Sequence, residues 1–258
     1  MNFEIMPFET SASLGLPPNA ARAREAPRPA PRPAPAPRFV KDFSGPPAEC
    51  SAALRRARKT KAQALALINA QIGVAIRLLR KAAADLQRGR RTQATSDLFL
   101  KIFRVRPGFV PTWLKTTENI KDRGDVVRVR CARVADLLAS GRIKFFCAIT
   151  AANCPDCGND NSPFACSSFG NHRVICLGQA FWDDMRAGRA NSMLSTLMHE
   201  PFHIYFGRQV TEHRDTAGKF GGINCIVQFA FNASRRTPPA RVTQRCTDMA
   251  VRQEFEFA

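Results

Sequence analysis

No apolar run in this chain of 258 residues approaches the roughly 20 needed to cross a bilayer, so no membrane-spanning helix is expected. The opening residues, Met1-Asn-Phe-Glu-Ile-Met-Pro, lack a basic segment followed by an apolar one, and no ordinary secretory signal is read there. There is no internal repeat, and no RRM, KH, homeodomain or zinc-finger signature. The basic residues are not interleaved with aromatics, so no specific nucleic-acid partner is expected. Acidic residues are scarce: 21 Asp and Glu against 39 Lys and Arg leave a formal net charge of +18. Such a surface attracts nucleic acid, anionic lipid or acidic polymers whether or not that is its purpose. Hydrophobic content is ordinary at 45%, which excludes a wholly disordered chain and suffices for one substantial domain or two small ones.

Cysteine, by contrast, is plentiful. All nine but Cys50 and Cys246 fall between Cys131 and Cys225. A few disulfides in an oxidising compartment, with one thiol left over because the count is odd, is the plain reading. Export by another route, a start placed elsewhere and thiols kept reduced all remain open; secretion or non-classical export is favoured over a cytoplasmic location. Cys154-Pro-Asp-Cys157 is half of a structural zinc site with Cys147 and Cys166, a redox pair, or disulfide-bonded loop cysteines. The last is preferred, because no second Cys-x-x-Cys or adjacent His completes a finger.

Residues 1–50 read as a disordered tail rich in Pro, Ala and Arg. Alternating prolines over 26–38 remove backbone donors and favour an extended spacer. Residues 51–258 form the expected domain. Leu65, Ile68, Ile72, Ile76, Leu79, Ala83 and Leu86 recur at three- and four-residue steps, predicting one long helix over 51–89 with Arg55, Arg56, Lys59, Arg77, Arg80 and Lys81 mostly on its solvated faces. Pro107, Gly108 and Pro111 then break the chain. Further helices are predicted over 126–138, about 191–206, 221–232 and 240–249, and strands over 143–149 and 173–177. The fold class is therefore α+β: helix-dominated, with a small sheet.

The feature with chemistry in it is His199-Glu200-Pro201-Phe202-His203. Two histidines four apart project from one side of a helix, close enough to share a tetrahedral metal. The intervening Glu200 then points toward a metal-bound water, whose pKa the metal lowers and whose proton the carboxylate takes. Three of the four histidines (199, 203 and 213) fall in one short segment, whereas His172 stands alone at a strand start and reads as structural. Pro201 supplies no amide hydrogen and presses on the Leu197 carbonyl, so a kinked helix is expected. The third ligand is sought just downstream, where His213 and Asp215 stand with Glu212 beside them. By zinc chemistry in general, His213 leads.

Leu177-Gly-Gln-Ala-Phe-Trp-Asp, Ser195-Thr-Leu-Met-His-Glu-Pro-Phe-His and Phe220-Gly-Gly-Ile-Asn-Cys225 together resemble the aspzincin metalloendopeptidases, the deuterolysin and peptidyl-lysine endopeptidase family. The resemblance spans about residues 143–246. Gly221 and Cys225 reproduce the spacing that closes the family's Gly-Thr-x-Asp-x-x-Tyr-Gly motif, and Cys176 matches its strand cysteine. The resemblance implies a zincin-like catalytic domain, one zinc per chain and Asp215 as third ligand, with His213 the alternative. Two departures stand out. Asp215 lies two residues further from Phe220-Gly221 than the motif wants, with Ala217 at the expected offset. Phe220 replaces the motif's Tyr, and the only tyrosine is Tyr205.

The expectation is therefore a zinc-dependent endopeptidase that hydrolyses polypeptides. His199, His203 and Asp215 would hold the metal and Glu200 would be the general base. Glu212 would suit Lys-containing substrates, as in the lysine-specific members. The rival is a basic protein binding nucleic acid or an anionic surface, with a decayed metal site.

Overall fold

The computed structural model describes residues 38–110, 117–147, 165–167, 173–206 and 222–255. Residues 1–37, the body of the expected Pro-rich tail, lie outside them. Structure begins before Cys50. A short strand β1 (Phe43–Ser44) leads into helix α1 (Pro47–Ala57), with proline in the first turn where its missing N–H costs nothing. The Asn69 side chain holds this entry segment, accepting from the backbone N–H groups of Phe39 (2.6 Å) and Val40 (2.8 Å) and donating to the Val40 carbonyl. A disulfide joins Cys50 to Cys147. Residues 38–50 thus belong to the domain and not to a tail.

The helix expected over 51–89 is two helices. Arg58 turns left-handed (φ 53°) to end α1, and Thr60 starts α2 (Lys61–Asp85) with a capping box. The Thr60 hydroxyl accepts from the Gln63 N–H, and the Gln63 side chain accepts from the Thr60 N–H. The reciprocal bonds begin a new helix although the apolar pattern gave no sign of a break. α2 buries Ile68, Ile72, Ile76 and Leu79 and packs against three later helices. Among the described residues it is the one helix long and apolar enough to cross a membrane; here it is the central helix of the fold.

Helix α3 (Gln93–Phe103), capped by Thr92, was not expected from the sequence. Helix α4 (Arg123–Ala139) follows, capped by Asp122, whose carboxylate accepts from the Asp125 N–H. The two acids anchor a charge cluster. Arg91 grips Asp122 with both nitrogens (2.6 and 2.8 Å), and Asp125 faces Arg88, Arg91 and Arg128. Gly124 is required beside them, since a β-carbon there would lie 2.8 Å from the Arg91 guanidinium carbon and 2.9 Å from Pro107.

The sheet is small and mixed. It comprises β1, β2 (Lys144–Cys147), β3 (Ala165–Ser167) and β4 (Val174–Leu177) in the order β1-β2-β4-β3. β2 pairs in parallel with β1 and β4, placing Phe145 opposite Ile175, while β3 pairs antiparallel to β4. Every β4 side chain is buried, so the strand reads as a continuous apolar run. Helix α5 (Gln179–Arg186) leaves β4 directly, with Trp182 Nε1 donating to the Leu177 carbonyl and its ring edge-on to Phe43 and Phe181. Helices α6 (Ala190–Phe206), α7 (Ile223–Ala233) and α8 (Ala240–Phe255) are the last elements among the described residues, and a disulfide from Cys225 to Cys246 ties α8 to α7. The protein is a helix-rich α+β structure with disulfides.

Candidate metal centre

The candidate site lies on α6, the helix most enclosed by its neighbours: α2, α4, α5, α7, β3 and β4 all pack on it. Met193, Leu194, Leu197, Met198 and Phe202 are buried, and this apolar packing holds the helix together past Pro201, where the amide donor to the Leu197 carbonyl is missing. α6 continues through the proline to Phe206.

At its N-terminus α6 is pinned by the buried Asp184 carboxylate. Arg189 Nε donates to one of its oxygens (2.6 Å) and the Ser192 hydroxyl to the other. Asn191 reaches the Thr237 carbonyl and accepts from Arg236, joining this end of α6 to the turn before α8.

His199 and His203 stand one turn apart with their Nε2 atoms 3.1 Å from each other and the rings tilted by 56°. Nitrogens bound to one tetrahedral zinc at about 2.0–2.1 Å stand about 3.3–3.4 Å apart. The observed separation therefore fits a shared metal after a shift of a few tenths of an ångström. Two facing Nε2 atoms also make sense without metal only if one ring donates to the other, because two lone pairs that close repel. His199 is 8% exposed, Glu200 beside it 6%, and His203 half-buried, so the pair opens to one side. As a donor set, two imidazoles with an adjacent carboxylate suit zinc and leave room for a third ligand and an open position.

Asp215, His213, Glu212, Ala217, Phe220 and Gly221 lie outside the described residues, as do His172, Cys154 and Cys157. Among the described residues, no group of three or more His, Cys, Asp or Glu side chains is assembled for a metal. Cys147 is paired with Cys50 in a disulfide, which removes it from the structural zinc site expected with Cys154, Cys157 and Cys166. Cys176 is also disulfide-bonded. Cys131 on α4 is the free thiol among the described cysteines, and burial pushes its pKa up to about 12 against the pull of Arg130.

Sequence reasoning missed Arg241, on α8. One guanidinium nitrogen, Nη2, donates to the Ser192 carbonyl (3.0 Å), the Ser195 hydroxyl (3.1 Å) and the Thr196 hydroxyl (2.9 Å). Burial draws Arg241 below its usual pKa, while the Asp184 and Glu200 carboxylates pull it back up. No spacing rule connects a residue on another helix to His199; its only signal was one more positive charge in a basic chain.

No protein-family model, curated protein or solved structure matches the chain.

Proposed function

We propose that the protein is a zinc-dependent endopeptidase with a zincin-like catalytic domain, related in its site to the aspzincin metalloendopeptidases it resembles, and preceded by a Pro-rich tail. The observation that carries this reading is the pair of His199 and His203 Nε2 atoms 3.1 Å apart on a buried helix with Glu200 between them in sequence. His199 and His203 would hold one zinc per chain, with Asp215 as third ligand and His213 as the alternative. When bound, zinc supplies Lewis acidity, polarising a peptide carbonyl and lowering the pKa of water. Glu200 takes a proton from the attacking water on a carboxylate oxygen and delivers it to the leaving amine nitrogen. Burial of Glu200 keeps bulk water from competing for that proton. Glu212 would favour a lysine in the substrate. The disulfides suit an oxidising compartment, and secretion or non-classical export is proposed over a cytoplasmic location on that ground.

Mass spectrometry of the purified protein tests the reading: about one zinc per chain, lost in His199→Ala. Glu200→Gln should retain zinc and lose peptide hydrolysis, and Asp215→Ala should lower zinc occupancy more than His213→Ala. A folded protein without stoichiometric zinc would leave the alternative, a basic protein that binds nucleic acid or anionic surfaces with an affinity that collapses on adding salt.

A further inference from the structure

The turn between α3 and α4 presents an aromatic ring among arginines. Phe109 is 50% exposed and Val110 51%; with Tyr205 they are the exposed large apolar side chains among the described residues. The turn is held firmly. The Phe109 N–H donates to the Arg106 carbonyl (3.2 Å). The Phe109 and Pro107 carbonyls accept from the Arg123 and Gly124 N–H groups that open α4, at 3.1 and 2.8 Å. The Arg123 guanidinium lies against one face of the ring, 5.4 Å from its centre, so the exposed part of Phe109 is its other face and edge.

Beside the ring is a cavity of about 470 Å³, lined by Arg91, Gln93, Ser96, Arg106 and the turn itself. That volume lies within the range of sites that hold small organic groups. At Gly108 nothing but its chain neighbours lies within 4 Å of where a β-carbon would stand, so a ligand can approach the backbone.

The surroundings are cationic. Between Leu86 and Val110 the chain has six basic residues and a single acid, Asp97, which accepts from Gln93 Nε2 (2.7 Å). Asp122 and Asp125 are matched by Arg88, Arg91 and Arg128. Arg90, Arg104 and Arg106 are exposed, and among the described residues their side chains bond no partner. Arg90 and Arg104 stand within two residues of lining ones and extend the cationic rim.

This combination selects a ligand. A simple anion leaves the ring unused, and a lipid tail needs more apolar surface than Phe109 and Val110 offer. A single nucleic-acid strand supplies both halves, phosphates for the arginines and a flat base for the ring. We propose that the Arg106–Phe109 turn and its cavity form a binding site for single-stranded nucleic acid. One base stacks on the open face of Phe109, while Arg106, flanked by Arg90 and Arg104, holds the backbone phosphates. The site does not depend on the metal reading above.

Fluorescence anisotropy of the full chain with labelled oligothymidylate of about 12 nucleotides tests it. Phe109→Ala should weaken binding about tenfold, as for loss of one stacked base. Arg106→Ala should flatten the slope of log affinity against log salt by about 0.7, one phosphate contact on a single strand. Arg186→Ala, an exposed arginine of α5, should leave affinity and slope nearly unchanged. An abasic strand of the same length should bind the parent about as weakly as thymidylate binds Phe109→Ala; this arm needs no variant. A chelator should alter none of these, so absence of zinc leaves the site standing, whereas strand binding lost with chelator overturns it. Oligouridylate is run alongside: binding of either strand supports the site, and the tighter one names the source as DNA or RNA. Affinity that Phe109→Ala leaves unaltered, or an abasic strand held equally tightly, overturns the site, because charge alone then explains the binding. So does binding confined to phosphatidylserine vesicles, or no binding of either strand at about 50 mM salt.

Discussion

The spacing of His199 and His203 makes a quantitative prediction about stability. Their Nε2 atoms are 3.1 Å apart, and a tetrahedral zinc wants about 3.3–3.4 Å, so binding requires small side-chain rotations on a helix that is already packed. Metal energy is then not consumed in folding the site and appears as added stability. At free zinc 100 times its Kd, the native state gains about 2.7 kcal/mol. For a domain of this size that raises the Tm by about 5–11 °C, at about 2–4 °C per kcal/mol. Replacing either histidine with alanine leaves one imidazole. If Kd rises about 100-fold, the gain at the same zinc concentration falls to about 0.4 kcal/mol, a shift of about 1–2 °C. Scanning calorimetry on the parent, His199→Ala and His203→Ala, each with zinc and with a chelator, reads this directly. His172→Ala serves as control and should retain the full shift. Equal zinc shifts in the parent and both single variants would refute the reasoning, because stabilisation would then come from a site that uses neither histidine.

Three further outcomes follow from the charge distribution and burial. Asp125 is 1% exposed and meets three arginines, so Asp125→Ala should destabilise the fold by about 3 kcal/mol in urea titrations, most of it from Arg91 because Arg88 is half in solvent; a loss under about 1 kcal/mol would mean the cluster is a surface arrangement. Cys131, with its thiol pushed up to about 12, resists deprotonation in the native state but not in the unfolded one. Above pH about 8.5–9 it should cost up to about 1.4 kcal/mol of stability per pH unit, until the native value is reached. Cys131→Ala should flatten the alkaline limb of stability against pH, and an unchanged slope would contradict that burial. The hydrogen bond from Arg56 holds the Asp183 carboxyl below its usual range against mild desolvation, joining α1 to α5. Its contribution, under about 1 kcal/mol for so solvated a pair, is present above the unfolded carboxyl value near 3.9 and is lost as pH falls through the native one. Arg56→Ala should therefore match the parent at the acid extreme and fall below it at neutral pH.

Helix periodicity, motif spacing and cysteine number were legible because each is a property of neighbours along the chain. The apolar steps from Leu65 to Leu86 set out the buried face of α2, and the β-branched run before Leu177 marked β4, because such patterns follow from the 3.6- and two-residue repeats alone. The break at Arg58–Thr60 was obscured because capping is a local hydrogen-bond exchange that leaves the apolar pattern running across it. α3 was missed for the converse reason: its short amphipathic run is followed at once by Pro107 and Gly108, which draw attention to the end of an element and hide its start. Residues 38–50 carry tail-like composition, yet Asn69 and Cys147 bring them into the domain from 30 and 97 residues away.

By itself the sequence determined that His199 and His203 share one side of one helix, with Glu200 next to the first, since i and i+4 coincide on any α-helix and depend on nothing else. Tertiary structure alone decided that the helix is buried on nearly every side and survives Pro201, that the two Nε2 atoms stand 3.1 Å apart, and that Arg241 on α8 bonds Ser192, Ser195 and Thr196 of the same helix. Those facts depend on packing between segments far apart in the chain, where neither side chain's neighbours in sequence carry any trace of the other.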